Sequence, residues 1–488
     1  MRGRRAKLTG RPRVVLVALG LALLVGAWIA ATPPFAAPDE ASHYDRALGI
    51  TNGTILGPKV AYGPIPGLTP PQQVFINHDT RAIEVQTRLL PPGVSCIDGK
   101  PDLTSCLVAS PNGNFPPLGY VLPAVALSVS HSSTSGLWLT RAASALQSVA
   151  FVLLAVAVLW DTSAWSLLGL LAAISPMVLF VSSVMNPSGI EITACLAFAA
   201  SVLRITRAPA RAPLWVWAAF AFAGTVAILS GPIGLVFAIG DLALLGVLLG
   251  AGGLRELRRA RQFRLSALTL LVAGVVALVY SRIAGFEATF GISPILHSVR
   301  LGLHELRSSV LPDAVGNFAS RTVSLPLFAH WIWWLLVLVL FASALRVGDR
   351  RERLVLASVA VLALAFPVLF YAWVDRFSGF GLQGREVLPP LMLIPLVAGE
   401  VIFRHSSAVA TQRRPAQLAL GAAIALMALF QAYAWWFSAR VAAGTTHRLL
   451  FYAQATWVPP LGWLPWILSA GLGTAALLSF AANEALVA

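Results

Sequence analysis

Apolar runs of about 20 residues, the length a helix needs to cross a bilayer, recur along almost the whole of this chain and leave it few possible folds. They lie near residues 14–31, 137–160, 165–184, 189–204, 213–230, 232–250, 265–283, 327–345, 354–374, 387–403, 416–437 and 460–482. Within hydrocarbon a single segment satisfies its own backbone donors and acceptors only as a helix. The expected fold is therefore an all-α polytopic integral membrane protein with about 12 transmembrane helices. Composition agrees, since 57% of the 488 residues are hydrophobic and 11% charged, with a mean hydropathy of +0.77. Soluble domains are about 45–50% apolar.

Arg2, Arg4, Arg5, Lys7, Arg11 and Arg13 precede the first run, as in a signal peptide. That run is too long for one, and Ala-Thr-Pro-Pro is a poor cleavage site, so it reads as an uncleaved anchor with a cytoplasmic N-terminus. Alternating the later spans from that start puts 21 of the 35 Lys and Arg into short inside segments, as the positive-inside rule requires. Most carboxylates fall outside, among them Asp79, Glu84, Asp98, Asp102, Glu287, Glu305, Asp313 and Asp375. The formal charge of +15 thus reflects topology, and nucleic acid is not an expected partner.

The expected organisation is a cytoplasmic basic N-terminus (1–13), a first span (14–31) and a large extracytoplasmic loop (32–136). Spans 2–7 follow (137–283), then a second extracytoplasmic loop (284–326), spans 8–12 (327–482) and a short tail (483–488). Loops of such length tend to carry function, so any chemistry is expected outside the cytoplasm. Cys96 and Cys106 flank a polar turn in the first loop, where oxidising conditions favour a disulfide. Cys195 lies in an apolar run and reads as a packing residue. No further Cys or His pair suggests a metal site.

Four short polar motifs interrupt the apolar pattern on the loop-rich side. The first, Pro33–Arg46 (PPFAAPDEASHYDR), places Asp39, Glu40, His43 and Arg46 just beyond the first span. Pro38-Asp39-Glu40 reads as a first helical turn with Pro at N1. Asp39, His43 and Arg46 would then share a face, either as a site or as charges solvating a surface helix. The second, Asn114–Tyr120 (NFPPLGY), leads into a short apolar stretch read as an interfacial or re-entrant helix over 116–130. Arg141 follows at the end of the second span. The third, Met185–Glu191 (MNPSGIE), combines turn formers, including Asn186, with a carboxylate just inside a span. The fourth, Phe380–Pro390 (FGLQGREVLPP), presents Gln383 and Arg385 at a glycine-flanked entrance, where a guanidinium fork suits phosphate oxygens. Apart from Glu191, Asp241 and Glu400, read as lying near span ends, the membrane core is uncharged.

In this order and on one side of the membrane, the four motifs resemble the bacterial membrane proteins of domain of unknown function 2142. The resemblance covers nearly the whole chain. That family looks like a branch of the GT-C superfamily, whose members take a sugar from a polyprenyl phosphate in the outer leaflet. The resemblance implies an inverting glycosyltransferase in the bacterial plasma membrane, acting on an envelope glycan, lipid or protein acceptor. It implies a carboxylate base in the first outer loop, with Asp39 the best match and Glu40 the competitor. Arg385 would stabilise the leaving lipid phosphate, with Arg141 and Arg46 as weaker candidates and His43 orienting the base or touching phosphate. Asn186, Glu191 and Gln383 complete the expected substrate contacts. No cofactor is implied beyond the lipid-linked donor, and no metal. Related sequences usually read Gly-Arg-Tyr where this chain has Gly384-Arg385-Glu386, which removes an aromatic ring but keeps the arginine.

Two other classes fit parts of the pattern. A transporter or flippase of lipid-linked saccharides would show internal repeats or midplane charges. A ligase or polymerase of the O-antigen type would place its key residues in a later large loop.

Overall fold

A computed structural model describes residues 10–99, 104–285, 294–378, 380–406, 413–445 and 449–486. Arg2, Arg4, Arg5 and Lys7 of the expected N-terminal segment, Asp102, Glu287 and the last two residues of the expected tail lie outside the described residues. The chain opens with α1 (Gly10–Trp28) and continues into the first loop, which holds α2 (Glu40–Thr51), α3 (Pro70–Asp79), β1 (Arg81–Gln86), β2 (Ser105–Ser110) and α4 (Val121–Ser128). Next come α5 (Ser133–Leu159), α6 (Trp165–Ala173), α7 (Pro176–Val181), α8 (Ser188–Arg207), α9 (Leu214–Ser230), α10 (Gly234–Arg259) and α11 (Arg261–Ala284). The second loop carries α12 (Ile295–Glu305), a π-helical turn at Leu306–Val310, α13 (Leu311–Gly316) and a hairpin of β3 (Asn317–Phe318) and β4 (Val323–Ser324). The chain closes with α14 (Leu327–Val347), α15 (Arg350–Ser378), α16 (Leu388–Arg404), α17 (Arg413–Ala442) and α18 (Leu464–Leu486).

Every predicted span meets helix. Among the described residues nine helices are long and apolar enough to cross a membrane, and Pro12–Trp28 and Leu214–Ser230 are shorter apolar helices. The expected span at 165–184 is different, because it is broken into α6 and α7. Pro176 has no N–H for the helical ladder and its ring would clash with the preceding turn. Ser175 takes up the break, its hydroxyl donating to Ala314 O at 2.7 Å. Irregular backbone at membrane depth is tolerated where protein covers it, and α7 is buried along its whole length. Asp241 also departs from expectation, since it lies well inside α10, buried, rather than near a span end.

The broken span sits against α16, where Gly169 and Gly399 meet. A Cβ at Gly399 would lie 2.3 Å from the Gly169 Cα, so small residues permit this close crossing. The first loop packs its own elements together. β1 and β2 pair antiparallel, with Val85 opposite Cys106, and Cys96 is disulfide-bonded to Cys106. Its apolar core joins Tyr44 and Leu48 of α2 to Ile83, Val85, Val108 and Tyr120. The helix expected over 116–130 is shorter, a single 3-10 turn at Leu118–Tyr120 followed by the eight-residue α4.

Candidate functional site

Asp39 is the residue on which the loops converge. It stands immediately before α2 with φ 55°, a left-handed conformation that Asp tolerates better than most side chains. This corrects the expected first turn, because Pro38 precedes the helix and Asp39 is not on the α2 face shared by His43 and Arg46. The Asp39 carbonyl starts the helical ladder by accepting from His43 N at 3.0 Å. Its carboxylate makes no helix cap and instead accepts from Arg385 Nη2.

The neighbours of Asp39 are held on every side. Asn186 Nδ2 donates to Pro38 O at 3.3 Å, and Met185 N donates to Glu40 Oε1 at 3.1 Å. Glu40 is buried and paired with Arg141, which donates Nε to Oε1 at 2.7 Å and Nη2 to Oε2 at 2.6 Å. The remaining Arg141 donors go to Ile29 O, Thr32 O and Pro33 O, which occupies all five N–H groups of the guanidinium. Of the two adjacent carboxylates, one is thus a locked structural anion. The other has a side chain 48% exposed.

Arg385 approaches from the turn Gly384–Val387 at the head of α16. Its side chain is 6% exposed. Nη2 is on Asp39, Nη1 is on Gln383 Oε1, and Nε is buried with no partner. The pair thus combines an unused buried donor with a partly open carboxylate.

Arg46 and Arg141 do not join that pair. Arg46 is fully buried and donates to Phe115 O at 2.9 Å, Thr54 O at 3.1 Å and Ile55 O at 2.5 Å. It staples α2 to the second motif, because unpaired carbonyls there would be costly to bury. His43 shares that interior. Burial pushes its imidazole down to about 3, against the pull of Asp39, which favours the neutral ring. Its Nδ1 lies 2.7 Å from Tyr120 Oη, and burial holds that phenol well above its ordinary value. Glu191 is buried near the start of α8 with Oε1 unpartnered, its carboxyl group packed against Gly231. All four sequence motifs therefore meet around α2, where Glu40 and Arg46 are fully engaged, Asp39 and Arg385 form a half-open pair, and Asp45 and Glu191 are buried with an oxygen unpartnered.

The second loop supplies residues that sequence reasoning did not single out for the site. Asp313 is buried and accepts from Arg321 Nη2 at 2.6 Å, Asn317 Nδ2 at 2.6 Å and Gly384 N at 3.1 Å. Arg321 Nη2 also donates to Leu382 O at 3.1 Å, and Ser320 Oγ donates to Ala36 O at 3.2 Å. The sequence signal for them was the length of the loop.

An apolar groove of about 200 Å³ runs between α10, α15 and α16, with Phe237, Leu244, Phe366, Pro389 and Pro390 in its walls and Asp241 as its carboxylate. Pro389 and Pro390 belong to the segment that begins with Arg385. Among the described residues, the one cluster of three potential metal ligands is Cys96, Asp98 and Cys106, whose two sulfurs are joined in the disulfide.

Comparison with known proteins places the chain in a family. Residues 21–394 match the model described as "Predicted membrane protein (DUF2142)", and the chain belongs to that family. No curated protein matches it. Similar solved structures include ArnT from Cupriavidus metallidurans in the apo state, at a TM-score of 0.46 and 14% identity over 97% of this chain and 77% of that one. The same protein bound to undecaprenyl phosphate gives a TM-score of 0.45 at the same identity and coverage.

Proposed function

We propose that this protein is an inverting membrane glycosyltransferase that moves a sugar from a polyprenyl-phosphate donor to a cell-envelope glycan, lipid or protein acceptor on the extracytoplasmic face. The observation that carries the proposal is the ion pair between Asp39 and Arg385, formed across 346 positions of sequence. Its carboxylate is half open and its guanidinium keeps one buried donor unused.

In this reading the donor phosphate takes the place of Asp39 on Arg385. The acceptor hydroxyl oxygen attacks the anomeric carbon from the side opposite the phosphate, the carbon–oxygen bond to phosphate breaks, and polyprenyl phosphate leaves with the bonding electrons. The released Asp39 carboxylate accepts the hydroxyl proton. Arg385, already oriented by Gln383, meets the charge that grows on the leaving oxygen. Asp39 is preferred to Glu40 as the base because Arg141 and Met185 N already engage both Glu40 oxygens. The groove beside Pro389 and Pro390 offers an apolar path for the prenyl tail. The arginine-rich loops at the opposite ends of the spans support an extracytoplasmic site.

The test is transfer of radiolabelled sugar from a panel of polyprenyl-phosphate donors to envelope acceptors in membranes carrying the protein. The proposal expects label in the acceptor fraction with inversion at the anomeric carbon. Movement of intact donor across vesicles without transfer would support the transporter reading instead.

A further inference from the structure

The Asp39 and Arg385 loops touch the same turn of the second loop. Ala319, Ser320 and Arg321 join β3 to β4 with φ of 47°, 54° and 67°. Three successive non-glycine residues in the left-handed region are held only where their surroundings over-determine them. Here the surroundings are the two halves of the site. Ser320 Oγ donates to Ala36 O at 3.2 Å, three residues before Asp39. Arg321 Nη2 donates to Leu382 O at 3.1 Å, three residues before Arg385.

Arg321 is itself fixed by Asp313, through Nε at 3.1 Å and Nη2 at 2.6 Å. The same Asp313 Oδ2 accepts from Gly384 N at 3.1 Å. Gly384 lies so close to α13 that an added Cβ would sit 2.3 Å from the Asp313 Cβ and 2.5 Å from Val310 O. The π-helical turn at Leu306–Val310 presents that carbonyl and Ser309, whose hydroxyl also meets Arg321. π-Turns frequently accompany functional sites.

We propose that Arg321 and Asp313 are positioning residues, which with the Ala319–Arg321 turn set the Asp39 loop and the Arg385 loop at their working separation. The role rests on the glycosyltransferase reading. Neither residue touches the reacting atoms, and both act through the backbone at Leu382 and Gly384. An arginine is suited to this because its planar fork engages a carboxylate and a carbonyl at fixed angles, which a lysine cannot reproduce.

Two measurements test it. Spin labels at cysteines replacing the exposed residues Pro34 and Gly381 report the loop separation. Donor-dependent transfer kinetics report its consequence. The proposal predicts that Arg321→Ala broadens or shifts the distance distribution and lowers kcat about 10–100-fold, with donor KM changing much less. Arg321→Lys recovers little of either, and Arg300→Ala in the same loop leaves both unchanged. Gly384→Ala, which pushes the loop off α13 without altering a charge, reproduces the effect of Arg321→Ala. Unchanged distances in both Arg321→Ala and Gly384→Ala overturn the proposal, as does a shifted distance with kcat intact. Should the unaltered protein transfer no sugar, the glycosyltransferase reading fails with it, and the distances alone then decide whether Arg321 sets the loop separation.

Discussion

Helix α16 carries an arginine–carboxylate cluster at each end, and the two are built differently. At its C-terminal end Glu400 is 3% exposed and closed in, taking Arg207 Nη2 at 2.7 Å and Arg404 Nε at 3.0 Å. Arg404 spends a further donor on Thr206 Oγ1 at 2.7 Å. At the other end Arg385 faces the half-open Asp39 and keeps Nε unpaired. A closed cluster ties helices together, since arginine donors from two helices take both carboxylate oxygens. An open one leaves a donor and an acceptor that a ligand can complete. The Glu40–Arg141 pair sits one residue from Asp39 and is of the closed kind, so closure distinguishes the roles where proximity does not.

That contrast can be broken by mutation. The largest effect is expected at the open end, where Arg385→Ala should lower transfer about 100–1000-fold with little change in melting temperature in detergent. Equal loss of both would make Arg385 a staple like Arg207. Next comes Glu40→Gln, which leaves Arg141 buried with a charge and no counter-ion. It should cost ~3–5 kcal/mol of stability, read as a lowered melting temperature. Glu400→Gln should destabilise in the same sense, by less because Arg404 is more exposed, and leave the turnover of the folded fraction unchanged.

The smallest effect concerns pH. Asp45 in α2 is buried with Oδ1 unpartnered, and burial pushes its carboxyl up from 3.8 to about 8. The folded loop therefore binds this proton more tightly than the unfolded chain. The stability it contributes is complete below pH ~4 and is lost as pH rises toward 8. His43 works in the opposite sense, since a fold that lowers its value from 6.5 to about 3 loses stability as pH falls from 6.5 toward 3. Asp45→Asn should flatten the decline in melting temperature between pH 6.5 and 8, where His43 no longer opposes it. An unchanged slope would show that Asp45 is not the group responsible.

Much of this architecture is legible in the chain because hydrocarbon imposes it. Runs such as 416–437 and 460–482 became helices because a membrane segment has no other way to pair its backbone. The break at Ser175-Pro176 was hidden inside a continuous apolar run, although Pro176 was its mark. The four motifs meet around α2, but their residue types could not divide fully paired groups from the half-open Asp39–Arg385 pair. Arg46, Arg141 and Glu40 have the same chemistry as Arg385 and Asp39, and only burial and partner count separate them. Asp313 and Arg321 were not chosen because they meet the Arg385 loop through backbone groups at Leu382 and Gly384, which no side-chain pattern announces. Asp241 also escaped, since a lone carboxylate in a run of 232–250 gives no sign of whether it faces a groove.

The most direct test of the account compares Asp39→Asn with Glu40→Gln at the same two adjacent positions, reading both sugar transfer and the folded fraction. Asp39→Asn should stay folded and lose transfer about 100–10,000-fold, whereas Glu40→Gln should lose folded protein and keep the turnover of what remains. Full activity in Asp39→Asn, or an inactive but well-folded Glu40→Gln, would contradict the account.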